Sequence, residues 1–399
     1  MVKSTDVDRT RERGGGAPPR RALFCLIALA CLQGRCLGEE HATVIRQAPL
    51  ATSLRLEMEA AITHGAYFLS GSQDARGSWG KNPCVTAMAV MACANASRSD
   101  RQAPFEPMPK RGVPSPSSSP PDTLSPIQQL NRQKAAEREN TIQRGLDYVI
   151  SCLRRDGSIA NETTAQYSVL STAICLQAIA SHPETGTRAA ARRASLAYLI
   201  RNQADDGGFS PGRGGNSHLG TTLYVMEALY LSALNTPFDD AGISAALDKA
   251  GTHISRQNNR DHSTPPPSPP GMSFGPASHA AAIVRGLVYA GAGPGSAELR
   301  HALTQLDKAF SVTENPGLGQ RGYYTYLLGA LKTLRVCEQI GVDLSVYPRL
   351  KNWRNESARE LMKRQTGFGR WRQGESDWRE NNPDIVTANV MFALVNILL

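Results

Sequence analysis

Three stretches of this chain repeat one pattern with identical spacing, and this repeat constrains the fold more than any other feature. Each copy has a small residue, a glutamine eight positions later, a glycine four positions after that and an aromatic ring two positions further on. The copies are Gly65–Trp79, Ser195–Phe209 and Ser357–Trp371. A fourth copy, Gly145–Ile159, keeps the frame but has Leu153 in place of the glutamine and Ile159 in place of the ring. Repetition at a period of roughly 50 residues predicts stacked supersecondary units.

Apolar residues recur at helical spacing through most of the chain, and no convincing alternating strand pattern is present, so the fold is predicted to be all-α. Each repeat holds two helices, the first ending at the glutamine and glycine and the second starting after a short turn. The predicted second helices are rich in small residues: Val85–Ala94, Tyr167–Ala180, Leu219–Ala233, His279–Tyr289, Tyr323–Ile340 and Asp384–Leu398. The predicted first helices begin near Leu54, Thr141, Ala191, Ala241, Ala297 and Glu356.

Two proline-rich segments, 97–131 and 260–271, interrupt the period. Such composition does not continue a helix and predicts exposed loops inserted between elements. Removing these segments restores the repeat spacing, so residues 54–399 are predicted to form one domain.

The first 38 residues have the form of a secretory signal peptide. Arg20-Arg21 precede an apolar run from Ala22 to Leu32, and small residues follow at Cys36-Leu37-Gly38. This form predicts a signal peptide over 1–38, a linker over 39–53 and export of the rest of the chain. The alternative is a membrane anchor, either uncleaved or a lipid on Cys31. The run is short for a membrane span, and no other segment is predicted to cross a bilayer.

Charge and cysteine content exclude some functions. The net charge of the chain is +9, and the leader carries seven Lys/Arg against three Asp/Glu, so the remainder is only modestly basic. Its basic residues are dispersed, which argues against nucleic-acid binding. Five cysteines lie outside the leader without a CxxC pair; Cys93, Cys152 and Cys175 are predicted to be core residues, and no disulfide can be deduced.

The repeat resembles the QW repeat of squalene and oxidosqualene cyclases, and the copies ending at Phe209 and Trp371 resemble the repeat of protein prenyltransferase β subunits. This resemblance covers about residues 54–399. It implies an α/α toroid of six helical hairpins, with six inner helices around a central cavity, and an isoprenoid or other hydrophobic ligand in that cavity. Cyclases of the protonating type carry a DxDD acid motif, which this sequence lacks.

Four residues are the catalytic candidates. Glu227 is a lone carboxylate in an apolar helical segment, where burial would perturb its pKa, with a position on a polar boundary between helices as the alternative. His218, His279 and Asp384 each lie near the start of a predicted inner helix, where the alternative is a structural role at the helix terminus. His218, His279, Asp384 and Cys84 could ligate zinc by analogy with the prenyltransferases. They lack ligand spacing, so no metal site and no cofactor are predicted.

Two segments supply the candidate ligand-binding residues. Tyr323, Tyr324 and Tyr326 begin the fifth inner helix, and one or two of them are expected to face the cavity, with packing between helix layers as the alternative. Trp371, Asp377 and Trp378 lie in a loop before Asp384, where tryptophan, arginine and carboxylate side chains suit a polar or anionic ligand or a protein partner, with a solvated loop of mutually neutralising charges as the alternative.

Two functions therefore stay open. One is an enzyme of the terpene cyclase or prenyltransferase type acting on an isoprenoid. The other is a non-catalytic toroid that binds a protein, glycan or lipid through its rim loops.

Overall fold

The computed structural model describes residues 50–101, 126–183, 185–234, 240–258, 271–272, 274–374 and 377–399. Over these residues the chain forms twelve α-helices, with short 3-10 turns and no β-strand. The helices are α1 Thr52–Ser72, α2 Pro83–Arg101, α3 Pro126–Ser151, α4 Ser168–Ala180, α5 Gly186–Arg201, α6 Leu219–Leu234, α7 Asp240–Asn258, α8 Pro276–Tyr289, α9 Ala297–Ala309, α10 Tyr323–Gln339, α11 Trp353–Lys363 and α12 Pro383–Leu398. The predicted signal peptide, the linker up to residue 49 and residues 260–270 of the second insertion lie outside the described residues.

The even-numbered helices form a closed inner ring. Each packs against the next, from α2 through α12, and α12 packs against α2. The odd-numbered helices lie outside this ring, each against one or two inner helices. Because every inner helix follows an outer one, the six inner helices run in the same direction and begin at the same rim. The predicted all-α toroid of six hairpins is confirmed.

Burial separates the two layers. Every residue of α4 is buried, as are the residues of α8 from Ala277 to Tyr289. The outer helix α9 buries only Leu299, Ala302, Leu303 and Leu306, which is the stripe expected for an amphipathic helix on a core. The small residues of the inner helices allow neighbouring helices to approach closely.

The repeated glutamine and glycine join successive hairpins. Gln73 Nε2 donates to Gly77 O at 3.0 Å within its own turn and to Thr141 O at 2.9 Å on the next outer helix. Gln203 does the same, with Gly207 O at 2.9 Å and Ala246 O at 2.8 Å. Gly77 has φ 85°, and a Cβ there would overlap Arg144 O of the next outer helix. The pattern therefore encodes both a sharp turn and the contact between repeats.

In each repeat, the backbone N–H of the last residue of the pattern donates a hydrogen bond to a threonine hydroxyl on the following inner helix. Trp79 N donates to Thr86 Oγ1 at 3.1 Å, and Phe209 N donates to Thr222 Oγ1 at 2.9 Å. The other two copies use the same contact, with Ile159 on Thr172 and Trp371 on Thr387. A buried N–H is thus satisfied in every copy.

The helices extend further into the first proline-rich segment than the sequence predicted. Helix α2 continues to Arg101, and α3 begins at Pro126, well before the predicted start near Thr141. Residues 127–140 are mainly Gln, Arg, Lys, Ala and Glu, which favour helix without any apolar stripe. Residues 102–125 lie outside the described residues. Among the helices described, none is both long and apolar enough to cross a bilayer.

Candidate functional site

The lumen of the ring contains two adjacent cavities of about 40 Å³ each. The upper one lies where the inner helices begin and is lined by Gly220 and Trp378, among others. The lower one lies deeper, at the level of Met88 and Phe392. Four residues line both cavities: Tyr224, Arg285, Thr325 and Gly329. Volumes of this size hold a few water molecules and are far below the roughly 300–1,000 Å³ of pockets for drug-sized ligands.

A band of charged residues crosses the lumen where the cavities meet. Glu227 of α6 forms an ion pair with Lys332 of α10, and the carboxylate side chain is 6% exposed. Arg285 of α8 is 5% exposed, and its Nη1 donates to Gly329 O at 3.2 Å. Its Nε has no hydrogen-bond partner. Since the Glu227–Lys332 pair is neutral, Arg285 leaves this band with an excess positive charge.

These charges set the protonation states of the band. Burial acts to raise the pKa of Glu227, but attraction to Lys332 and Arg285 outweighs it and holds the pKa below the ordinary value. Burial lowers the pKa of Lys332, with repulsion from Arg285 acting in the same direction and Glu227 opposing both. Burial raises the pKa of the Tyr224 hydroxyl to about 12. At neutral pH Glu227 is therefore a carboxylate and Tyr224 a neutral hydrogen-bond donor.

The mouth of the upper cavity is covered by a loop over residues 377–382, here called the rim loop. Trp378 and Arg379 have φ of 56° and 58°, in the left-handed region that non-glycine residues rarely adopt. Trp378 N donates to Gly271 O at 2.8 Å, and the Trp378 ring lies 6.1 Å from the Phe274 ring. A Cβ on Gly322 would lie 2.8 Å from Trp378 Cδ1, so a glycine is required opposite the indole.

Glu380 of the rim loop caps an inner helix. Its side chain is fully buried, and Oε1 accepts a hydrogen bond from Thr325 N at 2.6 Å. The N-cap residue of this helix, Gly322, has no side chain to do so. Oε2 of Glu380 has no hydrogen-bond partner. Burial raises the pKa of Glu380 to about 7, with Asp377 adding to the shift and the Thr325 hydrogen bonds opposing it.

The four predicted catalytic residues are not brought together, and none lines either cavity. Glu227 is ion-paired with Lys332, which lines the lower cavity. His218 lies at the rim, where its ring contacts Phe274 at 5.9 Å and burial lowers its pKa to about 4. His279 is buried in the first turn of α8. Asp384 lies in the first turn of α12, where burial raises its pKa and a hydrogen bond to Ser72 acts against the shift.

Two of the six predicted ligand-binding residues, Tyr326 and Trp378, line the upper cavity. The Tyr326 hydroxyl is already used, because it donates to Ser311 O at 2.7 Å. Tyr323 donates to Val312 O at 2.6 Å, and its ring packs against Tyr324 at 4.9 Å. Trp371 is fully buried, with Nε1 donating to Leu361 O at 2.8 Å. Asp377 is partly buried beside Glu380 and has one carboxylate oxygen without a hydrogen-bond partner.

Arg285, Lys332 and Glu380 were missed by the sequence analysis. Arg285 and Lys332 are isolated cations inside apolar inner-helix segments, which is the same signal that singled out Glu227. A search for a buried cation to match that carboxylate could have found both. Glu380 gave no such signal, because it follows several charged residues in a loop. In the described parts of the chain, no three His, Cys, Asp or Glu side chains are placed to hold a metal ion.

Comparison with known proteins identifies no family for this chain. No protein-family model and no curated protein matches the chain. Among solved structures, two variants of the type II terpene cyclase MstE from Scytonema align with it, one with its product merosterolic acid A and one with its substrate geranylgeranyl dihydroxybenzoate. Both are 14% identical to this chain, cover 87% of it and 99% of their own length, and have a TM-score of 0.31. The fold assignment rests on the closed ring of helices.

Proposed function

We propose that this chain is a ligand-binding toroid whose lumen takes a compact anion with a short apolar body, of which a small isoprenoid phosphate or carboxylate is one example. The observation that carries the proposal is Arg285, a buried cation that lines both cavities and, among the residues that the structure describes, has no ion-paired carboxylate and no hydrogen-bond partner for its Nε. An uncompensated buried charge is costly, and a bound anion removes that cost.

The surroundings of Arg285 define the rest of the ligand. Above the band, Leu223, Phe274 and Ala282 give the upper cavity an apolar wall. Below it, Met91 and Ile174 do the same for the lower cavity. Tyr224 and Thr325 add hydroxyl groups at the level of the guanidinium. The small volumes favour an anionic group on an apolar body of about one isoprene unit over a long polyprenoid.

Ion pairing of Glu227 favours binding over protonation chemistry. A carboxyl group that protonates an alkene must be held as the neutral acid. Lys332 and Arg285 instead hold Glu227 as a carboxylate. Glu380 has a raised pKa, but it does not line either cavity.

The proposal is tested by titrating the purified protein with dimethylallyl phosphate, the uncharged alcohol prenol, and inorganic phosphate, using isothermal titration calorimetry. We expect dimethylallyl phosphate to bind more tightly than either of the others. Arg285→Gln should weaken its binding by roughly 30-fold or more, as for truncation of one partner in a buried charge pair. Arg192→Gln, at a buried arginine of α5 outside the lumen, is the matched control and should bind normally.

Equal binding of prenol and its phosphate, or unchanged binding by Arg285→Gln, would contradict the proposal. Formation of a new product from dimethylallyl phosphate would favour the enzyme alternative. Export is a separate part of the proposal and rests on the leader sequence alone. It is checked by expressing the full chain in a secreting host and determining the N-terminal residue of the exported protein, which we expect to be Glu39.

A second candidate function is binding of a protein, glycan or lipid partner through the rim loop. The specific observation is the left-handed backbone at both Trp378 and Arg379, since strained backbone clusters at functional sites. Trp378→Ala should abolish capture of such a partner while leaving binding of the phosphate at Arg285 measurable.

A further inference from the structure

Two cysteines lie against each other where the inner helices α2 and α4 meet at the rim. Cys84 is the second residue of α2, and Cys175 lies in the middle of α4. The two helices pack side by side, and the two thiols lie close enough for each to shift the pKa of the other. Neither cysteine takes part in the lumen site, because neither lines a cavity.

The surroundings favour the thiolate at Cys84 in particular. Asn82 caps α2, with Oδ1 accepting from Cys84 N at 3.0 Å and from Val85 N at 3.2 Å, so the sulfur sits at a well-formed helix N-terminus. Helix N-termini and neighbouring cations stabilise thiolates. The contacts with Cys175 and Ser171, together with the charge of Arg379, hold the pKa of Cys84 below its ordinary value against the effect of burial.

The two thiols differ in access. Cys84 is partly exposed, whereas Cys175 is fully buried. Burial and the neighbouring Cys84 sulfur raise the pKa of Cys175. A thiol of lowered pKa on a partly exposed residue, beside a fully buried thiol, is the arrangement of an attacking and a resolving cysteine in thiol–disulfide exchange.

We propose that Cys84 and Cys175 form a redox-active dithiol that reacts with a small or protein disulfide and closes to a disulfide linking α2 to α4. The Cys84 thiolate attacks one sulfur of the incoming disulfide and displaces its other half as a thiolate, leaving a mixed disulfide on Cys84. Cys175 then loses its proton to a leaving thiolate and attacks the Cys84 sulfur, which releases the second half. The two cysteines lose two electrons, which reduce the incoming disulfide to two thiols, and the proton that Cys84 had released to solvent protonates the second leaving thiolate.

The remaining cysteines of the described chain provide internal comparisons. Cys93 and Cys337 are fully buried, and burial raises the pKa of the Cys93 thiol to about 12. Both are expected to stay reduced. Cys152 is the competing partner, because it is partly exposed, lies close enough to Cys84 for their charges to interact and is hydrogen-bonded to Tyr148.

The test incubates the reduced full-length protein with glutathione disulfide, traps free thiols by alkylation and maps tryptic peptides by mass spectrometry. We expect a cross-link between the peptides 82–98 and 156–188, with fragmentation placing it on Cys84 rather than Cys93. The cross-link should disappear on reduction and in Cys84→Ser and Cys175→Ser. It should persist in Cys337→Ser, the matched buried control. Because the wild-type protein is itself mapped, the result does not depend on the variants folding.

Three results would overturn the proposal: full alkylation of both cysteines after oxidation, a stable glutathione adduct on Cys84 without ring closure, and a cross-link from Cys84 to Cys152. Thermal unfolding gives an independent reading. The oxidised protein should unfold at a higher temperature than the reduced protein, and the difference should vanish in Cys175→Ser.

Discussion

Replacement of Glu227 by glutamine separates a structural charge from a catalytic one. Glutamine keeps the volume of the side chain but leaves Lys332 and Arg285 as two buried cations with no counter-charge in the band. Two unit charges about 4 Å apart interact by about 4 kcal/mol at an effective dielectric constant of about 20. Breaking a buried ion pair by removing one partner costs about 3–5 kcal/mol in measured cases. We therefore expect Glu227→Gln to lower the free energy of unfolding by about 4 kcal/mol.

The measurement is thermal unfolding followed by far-UV circular dichroism. The unfolding entropy is about 2.1 cal/mol/K per residue, so a domain of about 350 residues has roughly 0.7 kcal/mol/K, and the melting temperature should fall by about 6 °C. The loss should shrink as pH rises, because deprotonation of Lys332 removes one of the two unpaired charges. The pKa of Lys332 is lower in the folded state than in the unfolded state. The stability of the variant is therefore recovered as pH rises from the folded-state pKa towards the unfolded-state pKa.

Two variants act as controls. Glu227→Gln combined with Lys332→Met should recover most of the lost stability, because the second substitution removes the lysine charge that the first leaves buried and unpaired. Glu59→Gln breaks an exposed ion pair with Arg55 and should change stability by less than about 1 kcal/mol. The reasoning is refuted if Glu227→Gln melts at the wild-type temperature. If the variant kept the wild-type melting temperature but lost an isoprenoid-processing activity that the wild-type protein has, Glu227 would be catalytic.

Three further predictions follow from single contacts. Glu380 has a pKa of about 7 in the fold against an ordinary 4.5, so its contribution to stability is complete below about pH 4.5 and is lost as pH rises through about 7; the stability difference between wild type and Glu380→Gln, measured by urea unfolding, should fall by about 3 kcal/mol over that range. Gly207→Ala should cost more than roughly 2 kcal/mol, since φ is 87° and a Cβ would overlap Lys249 O, whereas Gly71→Ala on α1, with open space around it, should be neutral or stabilising. Thr222→Val removes the acceptor for the buried Phe209 N–H and should cost about 1–3 kcal/mol, against less than about 0.5 kcal/mol for Thr252→Val at an exposed helical position; parallel denaturant titrations decide between these outcomes.

The fold could be predicted because the determinants of each hairpin are local and repeat at fixed spacing. Gln73 and Gly77 lie within one turn of each other, and the same contacts recur at Gln203 and Gly207. The hydroxyl acceptors were not predicted, because their spacing varies. Thr86 follows its ring residue by 7 positions, Thr222 by 13 and Thr387 by 16. No fixed motif contains them, although all perform the same role.

The lumen site could be predicted only in part, because it depends on ring closure. The apolar neighbours of Glu227 indicated a buried position, and the side chain is buried. Its partner Lys332 lies on α10 and Arg285 lies on α8, so their meeting depends on the relative register of three inner helices. The early tyrosines of α10 drew attention because three of them fall within four residues, yet two of the three lie outside the cavities. Conspicuous sequence is thus a weaker guide to this lumen than an isolated charge on a buried helix.

The toroid separates its charges along the axis of the lumen. The inner helices all begin at the rim, where their N-termini carry partial positive charge, and Glu380 and Asp384 lie in that layer. The carboxyl groups of the rim therefore offset the helix termini, and they are held by backbone hydrogen bonds or first-turn positions. Arg285 lies about two turns deeper, beyond the reach of these termini, and Glu227, the carboxylate near it in the described part of the chain, is paired with Lys332. An anion entering from the rim thus meets its only uncompensated cation among the described cavity-lining residues at Arg285, which is why that position carries the proposed function.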